Sequence, residues 1–210
     1  MSNIDELIKG VNEADSAQKL FLAVSKLAQA KSPQAIPTLI EVLGFNNPGA
    51  AVSATEGLIS LGESAVTPLL ANIDDYNYGA RAWMIRVFAG IGDPRALPLL
   101  IKASISDFSL SVRRAAAKGL GSLQWHKLPL SEREGAEKQV LDTLFTTIDD
   151  GEWVVRYASI VSLENLYKTI NNSEWQEEIE QKLHTISKKD QEIALQCRAS
   201  KALEFLHKTE

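Results

Sequence analysis

The chain has 210 residues, 45% of them apolar and 23% charged, which bounds it to one large or two small globular domains and excludes a disordered chain. A formal net charge of −5 argues against a general nucleic-acid binder, and the single cysteine, Cys197, excludes an internal disulfide and a cysteine-based metal site. No stretch approaches the length of an uninterrupted apolar span, and residues 1–6 show no basic segment leading into an apolar run, so a cytoplasmic protein without membrane attachment is expected.

Apolar residues recur at three- and four-residue spacing with no sustained alternation, which predicts an all-α fold. A first helix covers about residues 4–13. The next is expected over 16–30, with Asp15 as its cap, Gln18 reaching back, and Leu20, Val24, Leu27 and Ala28 on one face. From Ser32-Pro33 onward the chain repeats a short helix with a proline-leucine step, at Pro37, Pro68 and Pro98, spaced by 31 and 30 residues. Each proline is expected in the first turn of its helix, where a missing N–H costs least. Longer helices alternate with these and continue through two later, longer units, aligned on Val52, Arg81, Arg113, Arg156 and Arg198.

This period predicts a HEAT/armadillo-like right-handed α-solenoid of about five helix pairs behind an N-terminal helical hairpin, as a single domain over residues 1–210. Residues 124–130 read as a loop, and Ser131-Glu132-Arg133-Glu134 and Ser173-Glu174-Trp175-Gln176 read as capping boxes.

An aspartate precedes the helical arginine by six residues in three repeats: Asp75 and Arg81, Asp107 and Arg113, Asp150 and Arg156. Each acid is expected to pair with the arginine of its own repeat. Such pairs would order the loops, and on a concave face the same guanidinium groups would also suit an anionic ligand. Charge is uneven along the chain. Residues 1–77 carry four Lys/Arg against nine Asp/Glu, residues 78–128 eight against two, and residues 129–210 ten against sixteen. The positive middle would concentrate an anion there, while Arg95 and Lys102 are expected to face solvent.

Conventional catalytic constellations are absent from the sequence. His126, His184 and His207 are isolated, so no metal site is expected. Gly90 and Gly92 read as a helix end, with a left-handed cap, and Gly119 and Gly121 as its counterpart in the next repeat. Cys197 falls at a position where two other repeats have valine, so it is expected in the core. The aromatics are more telling. Tyr76 and Tyr78 lie in a loop beside two acids, Trp83 and Phe88 fit a core-facing stripe, and Trp153 opens its helix three residues before Arg156. Aromatic surfaces, arginines and a loop carboxylate suit a flat, carboxylated ligand.

Residues 74–83, Asp-Asp-Tyr-Asn-Tyr-Gly-Ala-Arg-Ala-Trp, the run Ala-Gly-Ile-Gly-Asp-Pro-Arg-Ala-Leu after them, and residues 107–121 resemble the F subunit of the E/F-type phycobilin lyases of cyanobacteria. The resemblance implies a heterodimer with a related E-type subunit that attaches phycocyanobilin to a cysteine of the phycocyanin α subunit. The bond is a thioether made across the ethylidene group of the bilin A ring. Phycocyanobilin enters as substrate, and no resident cofactor is implied. A related lyase-isomerase carries a His-Cys pair in this loop, whereas here the similar place reads Asn77-Tyr78-Gly79-Ala80, which implies attachment without isomerisation.

On that reading Asp74 or Asp75 is the acid and nitrogen anchor. Tyr76, Tyr78, Trp83 and Trp153 shape the bilin site, and Arg81, Arg113 and Arg156 hold propionates or the repeat ladder. The competing reading is a non-catalytic scaffold or chaperone for phycobiliprotein assembly or disassembly. A HEAT-like DNA-repair glycosylase is disfavoured by the acidic flanks.

Overall fold

In the computed structural model, which describes residues 3–73 and 76–206, every regular element is helical. The chain divides into two compact units, Met1–Ala96 and Leu97–Glu210.

The first unit opens with the hairpin of α1 (Ile4–Asn12) and α2 (Ala17–Gln29), followed by the pairs α3 (Ile36–Val42) with α4 (Pro48–Leu61) and α5 (Glu63–Ala71) with α6 (Tyr78–Ile91). The longer helices α2, α4 and α6 stack side by side, and α3 and α5 form a second layer over them. Their apolar stripes meet in a core that fully buries Val24, Leu27, Leu39, Leu58, Leu69, Ile85 and Phe88. Stacking is close because small residues face the neighbouring repeat. A Cβ on Gly57 would stand 2.7 Å from that of Ala28.

The second unit repeats the scheme with α7 (Leu97–Ser106) and α8 (Leu110–Leu120), α9 (Leu130–Thr147) and α10 (Trp153–Tyr167), and α11 (Ser173–Lys189) and α12 (Ile193–Leu206). Helices α8, α10 and α12 stack in order, and Leu100, Leu120, Leu141, Leu144, Ile160 and Leu163 are buried between the layers. The Ser162 hydroxyl ties α10 to α8 by donating to the Ala117 carbonyl at 2.7 Å. Among the described residues, five pairs therefore follow the hairpin, as the repeat of the sequence predicts.

Several local expectations are corrected. Ser16, not Asp15, caps α2, accepting from the Lys19 N–H, while Asp15 takes the Lys19 ammonium. Helix α9 starts at Leu130 after Pro129 with no side-chain cap, and Asn172 rather than Ser173 caps α11 by accepting from the Trp175 N–H at 3.1 Å. The 124–130 connection contains a 3-10 turn, Trp125–Lys127. Pro37 sits in a first turn, but Pro68 lies inside α5. The Asn72 amide donates to the Pro68 carbonyl at 2.8 Å and closes that helix end.

Gly92 does take the left-handed conformation that ends α6 (φ 68°). Gly121 does not, and its role is closeness: a Cβ there would meet the Ser162 backbone at 2.5 Å. Arg95 is not simply solvated. It folds back on buried Asp93, with Nη2 2.7 Å from the carboxylate, and reaches the start of α5 through the Glu63 carbonyl.

Candidate functional site

The loops before the longer helices carry the groups that the sequence singles out. Asp107, Asp150 and Asp190 each fold their own loop by accepting from the N–H two residues on, at 2.8, 2.8 and 2.9 Å. Six residues after each aspartate, a side chain returns to the aspartate's main-chain carbonyl: Arg113 Nη1 at 3.0 Å, Arg156 Nη1 at 2.9 Å and Gln196 Nε2 at 2.7 Å. The expected pairing of carboxylate and arginine within one repeat is thus wrong for these rungs. The arginine binds its own repeat through carbonyls and the next repeat through the carboxylate. Arg113 takes Asp150 bidentately, at 2.8 and 3.1 Å, and Arg156 takes Asp190 at 3.3 Å.

Electrostatics follow from that geometry. Burial alone would raise the Asp150 carboxyl, but the Arg113 hydrogen bond, the Glu152 N–H and the charges of Arg113 and Arg156 hold it below the usual carboxylate range. The Arg113 guanidinium is raised by its hydrogen bond to Asp150, against the opposing effect of burial. Arg113 and Arg156 are mostly buried and engaged with carbonyls and carboxylates, so their forks are committed to the ladder.

The register also corrects the last repeat. Gln196, not Arg198, is the counterpart of Arg156, and buried Leu195 takes the place of Val112 and Val155. Cys197 is exposed rather than in the core. Arg198 instead binds the Glu164 carboxylate at 2.6 Å, opposite Lys168. Burial would raise Glu164, but hydrogen bonds from Lys168 and Arg198 hold it low.

Three residues after each aspartate stands a large apolar or aromatic side chain that the fold leaves open. Tyr78, Leu110, Trp153 and Ile193 are the first residues of α6, α8, α10 and α12, and they are 56%, 43%, 45% and 73% exposed. Tyr76 and Phe108 beside them are more open than Tyr78 and Leu110. Of these four, the sequence singles out Tyr78 and Trp153 but not Leu110 or Ile193, since aliphatic residues at helix starts read as core. Trp83 lies one turn into α6, partly buried, with the Arg86 guanidinium 4.3 Å from its ring centroid. Arg81 is buried. Asp74 and Asp75 lie outside the described residues.

Two cavities flank the start of α6 within the first unit. One, of about 300 Å³, runs from the 43–48 segment to Asn77, Tyr78, Gly79, Ala80 and Trp83. The other, of about 340 Å³, lies between α3, α5 and α6 and is lined by Ile40, Glu41, Pro68, Asn72 and Met84. Gly44, Asn77 and Ala80 line both. Sequence reasoning passed over Glu41, and Asn77 entered only as one of the four residues standing where a related lyase-isomerase has its His-Cys pair. Among the described residues there is no group of three or more His, Cys, Asp or Glu side chains suited to a metal ion, and no helix is long and apolar enough to cross a membrane.

Residues 66–164 match the HEAT-repeat family. The chain is 59% identical over 165 residues to the phycocyanin alpha phycocyanobilin lyase CpcF of Synechocystis sp., covering 79% of this chain and 77% of that protein. It is 52% identical over 194 residues to the phycocyanobilin lyase subunit beta of Nostoc sp., covering 92% of this chain and 96% of that one. Among solved structures, the complex of CpcE and CpcF of phycocyanin lyase from Nostoc sp. matches with a TM-score of 0.77 at 49% identity, over 82% of this chain and 99% of that one.

Proposed function

The chain belongs to the family of phycocyanobilin lyase β subunits, and from that premise we propose that it is one half of a heterodimeric lyase, paired with a related E-type subunit. The reaction it serves is attachment of phycocyanobilin to a cysteine of the phycocyanin α subunit. What carries the reading is identity of 52% extending over 92% of this chain and 96% of a lyase β subunit. We further propose that it works in the cytoplasm with phycocyanobilin as substrate and no resident cofactor.

The chemistry asks little of this chain by way of a nucleophile. The acceptor thiol loses its proton, its sulfur bonds to the outer ethylidene carbon of ring A, and a proton is delivered to the ring carbon that shared the double bond. No oxidant or reductant enters. The chain's contribution is to hold the tetrapyrrole protonated and oriented, so that addition is fast and occurs at one cysteine. Exposed Tyr76 and Tyr78 and partly buried Trp83 supply aromatic surface for the ring plane, with Asp74 or Asp75 as nearby acid. Arg113 and Arg156 serve by fixing the loops that present Phe108 and Trp153, and buried Arg81 acts from behind Tyr78.

Combining the protein with its E-type partner, phycocyanobilin and apo-phycocyanin α chain tests the reading. The expected product is a covalently coloured α chain that survives denaturation. Colour no faster than spontaneous addition overturns it.

A further inference from the structure

The two cavities beside α6 share Gly44, Asn77 and Ala80 in their linings, and the polar groups around that junction form an ordered set. The Asn77 side-chain oxygen accepts from the Ala80 N–H at 3.0 Å, which fixes the amide so that its NH₂ turns away from the helix. That nitrogen lies 3.6 Å from where a Cβ on Gly44 would stand, so it is aimed at the junction. On the α3 side Glu41 lines the larger cavity, and its exposed side chain makes no hydrogen bond or ion pair with any described residue. Between them the walls are apolar, from Pro37, Ile40, Pro68 and Met84.

We propose that this groove binds the bilin by its nitrogen edge, with Glu41 accepting from the pyrrole N–H groups and the Asn77 amide donating to a lactam carbonyl. The inference rests on the lyase reading and names where the substrate sits. The match is one of complementary chemistry. A protonated tetrapyrrole turns convergent N–H donors inward, carries carbonyl acceptors at its ends, and has two flat apolar faces. An ionised carboxylate is acceptor-only and can bridge two N–H groups, while a primary amide with its oxygen already used is donor-only.

The negative charge on Glu41 favours the protonated bilin, whose ethylidene carbon is the better electrophile. Glycine at position 44 keeps the junction open. A single methyl there would make ordinary contacts, at 3.4 Å to the Glu41 main-chain oxygen, 3.6 Å to Asn77 Nδ2 and 3.9 Å to the Ala80 Cβ, but a ring would fill the space the ligand needs. Each cavity lies near the small end of the range for ligand clefts, about 300–1,000 Å³, so an elongated ligand would span both across Gly44, Asn77 and Ala80.

Titrating phycocyanobilin into the purified heterodimer, and following absorbance and transfer to the α chain, tests this with Glu41→Gln, Gly44→Phe and Gly44→Ala. Glu41→Gln should still bind bilin. The bound pigment should lose its long-wavelength protonated band at lower pH than with wild type, and transfer should fall about 100-fold. Gly44→Phe should lose saturable binding and Gly44→Ala should keep it, with partner association unchanged in all three. A Glu41→Gln complex with wild-type spectrum, pH response and rate, or a Gly44→Phe complex that binds normally, overturns the assignment while leaving the lyase reading intact. A wild-type complex that neither binds nor transfers bilin overturns both.

Discussion

Arg113 crosses a repeat boundary to hold both carboxylate oxygens of Asp150, while one of its remaining N–H groups returns to the Asp107 carbonyl of its own repeat. One side chain thus fastens two loops. The rung one repeat later, Arg156 to Asp190, has the same form but a single, longer carboxylate bond of 3.3 Å.

Removing Arg113 leaves Asp150 mostly buried without its cation, so Arg113→Ala should destabilise the protein by about 3 kcal/mol. Arg156→Ala should cost less, in keeping with its weaker carboxylate contact. Urea unfolding followed by circular dichroism measures both. Equal midpoints for Arg113→Ala and wild type would show that the rung is ornamental.

The same pair predicts an acid response. Asp150 is held below its ordinary value, so its contribution to stability is complete above about pH 4 and is lost as pH falls through the lowered folded-state value. Glu164 behaves likewise through Lys168 and Arg198. Wild type and Arg113→Ala should therefore differ most at neutral pH and converge below pH 4. Urea midpoints at pH 7, 5 and 3 report the convergence, and a constant gap across that series contradicts it.

Glycine-to-alanine changes should separate by what the new methyl meets. At Gly121 it meets the Ser162 main chain at 2.5 Å, which cannot rotate away, so Gly121→Ala should cost about 1–3 kcal/mol. At Gly90 it meets only the Ile59 side chain, which can change rotamer, and the cost should be smaller. Thermal unfolding of the two variants orders them.

Tyr78 is more than half exposed, so Tyr78→Ala should change stability by less than about 0.5 kcal/mol. Bilin transfer should nonetheless fall at least about tenfold through loss of aromatic contact. A scaffold that never touches bilin would be indifferent to the change.

The repeat architecture was legible because proline spacing and apolar period report directly on helices and on the face each must bury. Pairing partners were less so. Asp150 and Arg156 lie six residues apart, and nearness in sequence suggested a salt bridge, yet helix geometry puts the arginine against the main chain and gives the carboxylate to the repeat before. The last rung misled for a related reason. Cys-Arg-Ala-Ser imitates the Val-Arg motif, but the anchor is Asp190, and counting from it places Leu195 in the core and Gln196 on the carbonyl. Glu41 falls in no repeated motif, and Asn77 reads only as a helix cap, the counterpart of Asn47 at the start of α4. Only the fold brings α3 and the start of α6 around one groove.

The forward reach of the arginines also sets an order of completion during synthesis. Arg113 leaves the ribosome 37 residues before Asp150, and Arg156 34 residues before Asp190. A growing chain therefore carries, once α8 or α10 has been made, a guanidinium whose acid has not yet been made, and the loops before those helices are tied forward only when the next repeat arrives. At the third such loop the returning group is Gln196, a neutral amide that fastens its own loop by donating to the Asp190 carbonyl.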